Sequence, residues 1–431
     1  MKPLYTAYTA LTSGIFIVWL PLFWAYTRLS GRYRIGLKER LGLIPFDRID
    51  SLNGSPRIWL QAVSLGEIRV AVPVIDAIRK IIPDCSIILS TTTEHGRDFA
   101  GSTFKDDVPV IYAPIDFIFS VRKALSRVHP DVMVFLETEI WPAWLAEAQR
   151  MGIKTAIVNG RISERSIGGY LRFRPFFRDA LKKVDVCSMI LENDAARIRD
   201  LGADPGKIKV NGNAKYDLLS GQADPVMETE MRQLLNLQPS DSVFIAGSTR
   251  RGEEIMVLKA YEIIRRHFPD MILIIAPRHV DRAPVIESLI EAHGYNCQLR
   301  SGLNDPSVKR TESIVIMDTF GELFKLYSVG TIIFCGASLI PMGGQNPFEA
   351  AVWGKAVFYG PSMEDFMDVK TILENVGAGI TVFDHESLAD RAIWALNHPD
   401  TMKECGARAR DAVMNHKGAA EKHAAAIVQL L

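Results

Sequence analysis

The sequence predicts an α/β protein of two doubly wound domains facing each other across a cleft, preceded by an apolar N-terminal helix. Three observations carry that expectation. At about 150 residues per domain, 431 residues allow two or three domains. Beyond residue 50, short β-rich runs alternate with helical patterns, and the runs are apolar along nearly their whole length. Ahead of them, Pro3 to Thr27 carries no charged residue.

Leu4–Tyr26 is mostly apolar and aromatic, and its 23 residues reach roughly 35 Å as a helix at ~1.5 Å each. That length crosses a hydrocarbon core, although Pro21 can kink it. Trp19, Trp24 and Tyr26 fall where an interfacial aromatic belt would lie. Arg28, Arg32, Arg34, Lys38 and Arg40 follow, against Lys2 alone upstream, so the remaining chain is expected on the cytoplasmic side. A cleaved signal peptide fits less well, because no small-residue cleavage site follows the run. A buried core helix is the alternative, and spanning versus lying in the interface stays open.

Candidate strands of the first domain are Ile58–Ser64, Ser86–Thr93, Val108–Ala113, Asp131–Glu137, Lys154–Asn159, Val186–Leu191 and Lys207–Asn211. Helical patterns fill the gaps, among them Gly66–Ile82, Phe117–Val128, Trp141–Met151 and Asp194–Leu201. Residues 218–240 break the rhythm with Gly221, Pro225 and Pro239 and read as a linker carrying a short helix. The alternation restarts with Ser242–Ala246, Met271–Ala276, Ser313–Met317, Thr331–Cys335, Ala356–Tyr359 and Gly379–Phe383. The expected division is therefore an anchor at 1–30, domains at 31–217 and 241–431, and the linker between them. The last helix could pack back on the first domain. Ligands should bind at the carboxyl ends of the strands.

Composition narrows the function. With 48% hydrophobic and 23% charged residues the chain is neither disordered nor collagen-like. Lys+Arg and Asp+Glu balance at 50 each, yet residues 1–200 hold 27 basic against 21 acidic, and the rest hold 23 against 29. That asymmetry argues against a general nucleic-acid binder and suits a basic half facing an anionic surface. Five cysteines, an odd count without a CxxC, argue against a zinc or disulfide framework. No G-x-G-x-x-G, Walker A, H-E-x-x-H or D-x-D is present, which weakens dinucleotide and kinase-type readings.

In the first domain, Ala62-Val63-Ser64-Leu65-Gly66-Glu67 runs from a strand into a helix. Ser64-x-x-Glu67 reads as a capping box, Ala62-x-Ser64-x-Gly66 as a near miss for a nucleophile elbow, and Glu67 as a general base at the cleft edge. Leu136-Glu137-Thr138-Glu139-Ile140-Trp141-Pro142 ends another strand, and in extended geometry Glu137 and Glu139 share a face. They could equally complement a helix dipole. Asn159-Gly160-Arg161 opens the segment Arg161–Lys183, where seven basic residues meet Glu164 and Asp179 among Tyr170, Phe173, Phe176 and Phe177. It reads either as a solvated helix face or as a seat for an anionic, membrane-borne substrate. Lys215, in Asn213-Ala214-Lys215-Tyr216-Asp217, would lie between the halves.

In the second domain, Gly247-Ser248-Thr249 precedes a helix, so backbone amides could face a phosphate. Pro277-Arg278-His279 ends a strand with a cation, and Thr319-Phe320-Gly321-Glu322 leads into a helix. Gly343-Gly344-Gln345-Asn346-Pro347-Phe348-Glu349 combines close backbone approach with a carboxylate able to bond sugar hydroxyls. Each loop alone could be an ordinary βα turn. Four at strand ends of one domain favour a nucleotide site.

The whole set, in this order, resembles the Kdo transferases, which add 3-deoxy-D-manno-oct-2-ulosonic acid (Kdo) to lipid A precursors. The match runs from the apolar N-terminus through Ser64–Glu67, Glu137-Thr138-Glu139-x-Trp141-Pro142, Asn159-Gly160-Arg161 and Lys215-Tyr216-Asp217 to the four loops of the second domain. The resemblance implies the GT-B architecture of two Rossmann-like domains and inverting, metal-independent transfer of Kdo from CMP-Kdo to a glucosamine hydroxyl of lipid IVA, with no cofactor. It implies Glu67 as proton acceptor, and Glu137 and Lys215 as transition-state stabilisers. It implies CMP contacts from Pro277, Arg278, Phe320, Gly321, Glu322, Asn346, Pro347, Phe348 and Glu349, beside the phosphate contacts read above for Gly247, Ser248 and Thr249. The first domain would bind the acceptor, at the inner (cytoplasmic) membrane with its phospholipid surface as partner. Leu65 and Gln345 depart from the Val and His that the family pattern suggests. Rival readings are a UDP-sugar transferase with a lipid acceptor, a sugar-nucleotide 2-epimerase and a non-catalytic lipopolysaccharide-binding module.

Removing residues 1–30 should raise the soluble fraction and leave the two-domain body folded, because the strands begin after Asp50. Aggregation of the truncated protein with loss of CMP binding would show instead that this segment packs in the core.

Overall fold

The computed structural model describes residues 8–9, 12–14, 18, 36–49, 52–105, 107–137, 139–305, 307–415 and 417–431. Among them no helix is long and apolar enough to cross a membrane. The expected anchor at 1–30 lies, but for those few residues, outside the described part.

Two compact units divide the chain. One comprises Met1–Asp217 with Gly418–Leu431, the other Leu218–Lys417. The first is built on a seven-stranded sheet: β1 (Arg57–Gln61), β2 (Ser86–Thr91), β3 (Val110–Tyr112), β4 (Val132–Leu136), β5 (Lys154–Gly160), β6 (Val186–Met189) and β7 (Ile208–Val210), in the order β3-β2-β1-β4-β5-β6-β7. All its pairings are parallel. Strands β2, β3, β4 and β6 are buried at every position, which a sheet covered on both faces requires. One face holds Trp59, Phe135 and Trp144, with the two indoles edge to face at 5.1 Å. The other takes the helix Leu65–Ile81, whose Ile68, Ala71, Val74, Ile75 and Ile78 form a fully buried stripe.

The second unit repeats the plan with β8 (Val243–Thr249), β9 (Ile272–Pro277), β10 (Gln298–Leu299), β11 (Ile314–Ile316), β12 (Ile332–Cys335), β13 (Val357–Tyr359) and β14 (Gly379–Thr381). Their order is β10-β11-β9-β8-β12-β13-β14, again parallel throughout. The sequence reading lacks β10. Its two half-buried residues at a sheet edge are too few to leave a periodic signal. The segment read as a linker holds the helix Pro225–Leu234, capped by Asp224.

The chain ends in the first unit. The helix Ala419–Val428 buries Ala419, Ala420, Ala424, Ala426 and Ile427 in the same cluster as Ile68 and Val158. Asp217 ties down its start by accepting the backbone N–H of Gly418 at 2.7 Å and of Ala420 at 2.6 Å. Inside the contact, fully buried His423 meets the Ser188 hydroxyl through Nδ1 at 2.6 Å and the Gly212 carbonyl through Nε2 at 3.0 Å. The carbonyl can only accept, so Nε2 carries the proton and Nδ1 accepts from Ser188. Burial pushes the imidazole down to about 4 from its ordinary 6.5.

His423 therefore stays neutral in the folded protein where the unfolded chain takes up a proton. Its stabilising effect is complete above pH 6.5 and is lost as the pH falls toward 4, by up to roughly 3 kcal/mol. Denaturation curves of the parent and His423→Gln should converge as the pH drops from 7 to 4, the parent losing the difference. Curves that stay parallel over that range would show that His423 titrates alike in both states.

Candidate functional site

In a parallel sheet every strand delivers its chain to the same edge, and the order of each sheet reverses beside its first strand, between β1 and β4 and between β8 and β12. In each unit, non-glycine residues of positive φ stand at this edge of its own sheet: Glu137 (φ 57°) after β4 and Asn159 (φ 53°) in β5 in the first, Ser248 (φ 55°) in β8 and Ala337 (φ 58°) after β12 in the second. The pairing register slips at two of them, between Val158 and Gly160 and between Gly247 and Thr249. Backbone in sparsely populated regions persists where surrounding structure enforces it, and bulges re-aim side chains at strand ends.

Glu67 sits at the third position of the helix that follows β1, and it is buried. Ser64 caps that helix, its Oγ accepting the Glu67 N–H at 3.4 Å. The expected reciprocal half of a capping box is replaced. The Glu67 carboxylate accepts the backbone N–H of Val63 at 2.6 Å, one residue earlier than the box requires, and the Ser64 hydroxyl at 2.9 Å. Burial outweighs these bonds and lifts the carboxyl to about 7, and the carboxylates of Glu137 and Glu139 add to the rise. A carboxyl that exchanges its proton near neutrality suits general-base work better than simple capping.

Glu137 and Glu139 do not share an extended face. Strand β4 stops at Leu136, and the positive φ of Glu137 breaks the two-residue alternation. Glu137 turns to Lys215, whose Nζ lies 2.8 Å from its Oε1 with both side chains partly exposed. Glu139 accepts the indole N–H of Trp141. Burial raises its carboxyl above the ordinary value. Lys215 starts the helix Lys215–Gln222 with its own N–H on Asn213 Oδ1 at 3.1 Å. Three carboxylates and one ammonium thus meet at one strand edge.

The basic aromatic segment forms two short helices, Glu164–Arg172 and Arg174–Leu181. Arg172, Arg174, Arg178, Leu171 and Phe173 are exposed, while Tyr170 packs edge to face on Phe177 at 4.8 Å. Phe176 meets Tyr8 at 5.0 Å, and the Tyr8 hydroxyl donates to Asp116 at 2.8 Å. Asp116 also accepts the N–H groups of Ala143 and Trp144, and burial lifts its carboxyl to about 6.

In the second unit the loops after β8, β9 and β12 are joined. Arg278 is exposed and its N–H bonds the Thr249 carbonyl at 3.0 Å. Gly336 lies so close that a Cβ there would stand 2.8 Å from Ser248 O and Thr249 N. Gly343 and Gly344 adopt φ 87° and 79°, and the Gly344 N–H bonds the Ala337 carbonyl at 2.8 Å. Asn346 Oδ1 accepts the Phe348 N–H at 3.1 Å, Pro347 and Phe348 are buried, and Glu349 is half-buried. Phe320 is 79% exposed beside Gly321 at φ 89°. The Glu322 side chain is occupied internally, by Arg300 at 2.7 Å and by the Thr319 hydroxyl. That leaves backbone and the Phe320 ring for a ligand.

Residues outside the sequence reading build these loops. Fully buried Glu253 accepts four backbone N–H groups, from Arg250 (2.9 Å), Ala337 (2.6 Å), Ser338 (2.8 Å) and Leu339 (2.9 Å), and so binds the turn after β8 to the turn after β12. In the sequence it is one of two acidic residues opening a helix, a pattern that ordinarily only complements the dipole. Arg300 is also buried and carries no sequence signal. Among the described residues no group of three or more His, Cys, Asp or Glu side chains could hold a metal ion.

The family model described as 3-deoxy-D-manno-octulosonic-acid transferase (kdotransferase) matches residues 36–218. The chain is 30% identical over 372 residues to the probable mitochondrial 3-deoxy-D-manno-octulosonic acid transferase of Arabidopsis thaliana, covering 83% of this chain and 79% of that protein. It is 27% identical over 395 residues to the 3-deoxy-D-manno-octulosonic acid transferase of Haemophilus influenzae, covering 91% of each. A bifunctional glycosyltransferase/methyltransferase of Fusobacterium nucleatum is 31% identical over 345 residues, 78% of this chain, which spans about half of that protein (53%). Among solved structures, UDP-GlcNAc 2-epimerase from Neisseria meningitidis has a TM-score of 0.59 at 14% identity, covering 87% of this chain and 99% of that one. A glycosyltransferase from Rickettsia africae scores 0.57 at 14% identity, covering 86% and 96%. These two show the fold alone, which is of the GT-B type. The extent and identity of the sequence matches place the chain in the 3-deoxy-D-manno-octulosonic acid (Kdo) transferase family of glycosyltransferases.

Proposed function

We propose that the protein moves Kdo from CMP-Kdo to a glucosamine hydroxyl of a lipid A precursor, lipid IVA, with inversion and without a metal, at the cytoplasmic face of the inner membrane. The observation that carries this reading is buried Glu67, its carboxyl raised to about 7, beside the Glu137–Lys215 pair. Glu67 takes the hydroxyl proton as that oxygen bonds to the anomeric carbon of Kdo. The bond from that carbon to the CMP phosphate breaks, and its electron pair leaves with CMP. A carboxylate at a helix N-terminus is a weak base, and burial among carboxylates offsets that weakness. The Lys215 ammonium, oriented by Glu137, offsets charge that develops during transfer.

The nucleotide is assigned to the second unit. The exposed Arg278, whose N–H bonds the end of β8 at Thr249, suits its phosphate, and Phe320–Glu322 and Asn346–Glu349 suit its nucleoside. Gly247, Ser248 and Thr249 lie inside the buried strand β8 rather than at the start of the helix that opens at Glu253, so the expected helix N-terminus for the phosphate is not formed by them. Thr249 adds a hydroxyl that is buried without a partner among the described residues. The N-terminal segment is assigned as the membrane anchor. The exposed Arg172, Arg174 and Arg178 beside Leu171 and Phe173 suit an anionic lipid surface or acceptor. The domain that carries Glu67 would then receive the acceptor.

Incubation with CMP-Kdo and tetra-acylated lipid A precursor, followed by mass spectrometry, should show Kdo on the lipid and CMP released. The rate should rise about tenfold per pH unit below 7 and level off above it, because only the ionised base works. Glu67→Gln should melt within a few degrees of the parent, bind CMP normally and lose ~10²–10⁴ in rate. More than about a tenth of parental activity in that variant, a loss short of this range, would move the base elsewhere, with Glu137 next. Release of UDP from a UDP-sugar, or no nucleotide turnover, would sink the donor assignment.

Replacing Arg172, Arg174 and Arg178 together with Gln should weaken binding to anionic vesicles or acceptor, most at low salt, and leave CMP affinity nearly unchanged. Equal losses for both ligands would make the stretch structural.

A further inference from the structure

The Glu137–Lys215 pair joins two segments far apart in sequence, and its geometry depends on what holds their backbones. Both are held by consecutive residues of β5. The Val158 carbonyl accepts the Glu137 N–H at 2.9 Å. The Asn159 side-chain carbonyl accepts the N–H of Ala214, the residue before Lys215, at 2.8 Å. Asn159 and Ala214 are both fully buried.

Asn159 is a costly residue for its place. Its φ of 53° lies in the left-handed region, which asparagine tolerates better than most side chains. The register against β6 slips there, which turns the side chain out of the regular alternation. Its Nδ2 is buried without a hydrogen-bond partner among the described residues. Leaving such a donor unpaired in the interior is destabilising, a penalty that an apolar side chain of similar size would not incur. Among the described residues the side chain makes one bond in return, the one to Ala214.

We propose that Asn159 is a positioning residue of the transfer reaction: through the Ala214 N–H it fixes the start of the Lys215 helix against the strand that also holds Glu137. The proposal rests on the reading of Lys215 given above. It adds to that reading the device that sets where the ammonium stands. Electrostatic stabilisation works only from a fixed position, and a displacement of about 1 Å can cost ~10²-fold in rate.

The test is a double-mutant cycle on the full chain, with CMP-Kdo and lipid A precursor as substrates. Asn159→Gly accepts a positive φ without strain and lacks the acceptor, so it should lose about 10- to 100-fold in kcat at unchanged KM for CMP-Kdo. Asn159→Asp offers Ala214 an oxygen in either protonation state and should regain most of that loss. Combined with Lys215→Met, Asn159→Gly should cost nothing further, since it acts through the lysine. Should Asn159→Gly not fold, Asn159→Ser, one bond too short to reach Ala214, takes its place. Losses that multiply in the double variant would overturn the proposal, as would an Asn159→Gly that melts lower with kcat unchanged. A fully active Lys215→Met would overturn the reading of Lys215 and the proposal together. An impaired Lys215→Met with multiplying losses leaves that reading standing and removes Asn159 alone.

Discussion

A parallel sheet can grow only through crossovers, so all its strands end at one edge, and that edge collects whatever the loops carry. Each of the two units depends on this constraint. In the first it gathers Glu67 from the end of β1, Glu137 from β4, Asn159 from β5 and Lys215 from the loop after β7, although 148 residues separate Glu67 from Lys215 in the chain. The strand order reverses beside β1, which leaves the loops of β1 and β4 diverging rather than covering one another. The buried Glu67 and the carboxylates that raise its proton affinity come from those two loops.

Bringing carboxylates together at a buried edge works against stability, and the surrounding structure offsets it with backbone hydrogen bonds. Glu67 takes one backbone N–H and one hydroxyl, too little to cancel its burial, so it stays a weak enough acid to hold its proton near neutrality. Glu253 in the second unit is likewise held above its ordinary value by burial, but it takes four backbone N–H groups drawn from two loops. There the carboxylate fills a concavity of amides like those that bind phosphate, and it fixes two loops in place. The contrast separates a carboxylate available for proton transfer from one committed to shaping a site.

The first unit is also closed by its own C-terminus. Asp217 at the end of one crossing of the chain accepts N–H groups from Gly418 and Ala420 at the other, and His423 locks the returning helix to Ser188 and Gly212. The same short stretch, Gly212–Asp217, carries Lys215. Docking of the last helix and placement of the ammonium therefore share a backbone segment.

The sequence by itself determined the α/β class, the strands long enough to show a continuous apolar run, and the residue types at their carboxyl ends. Burial on both faces writes that signal directly into consecutive residues such as Ser86–Thr91 and Val132–Leu136. It also marked Ser64 as a cap and Glu67 as a carboxylate on a helix start, since both depend on neighbours within one turn. Only the tertiary structure decided what Glu67 can do, because its proton affinity follows from burial and from Glu137 and Glu139, about 70 residues away in the chain. The left-handed turn at Glu137, the pairing with Lys215, the role of Asn159 and the four bonds of Glu253 were likewise illegible. Each is a contact across strands, and local periodicity records which face a residue occupies, not which distant backbone group it will meet.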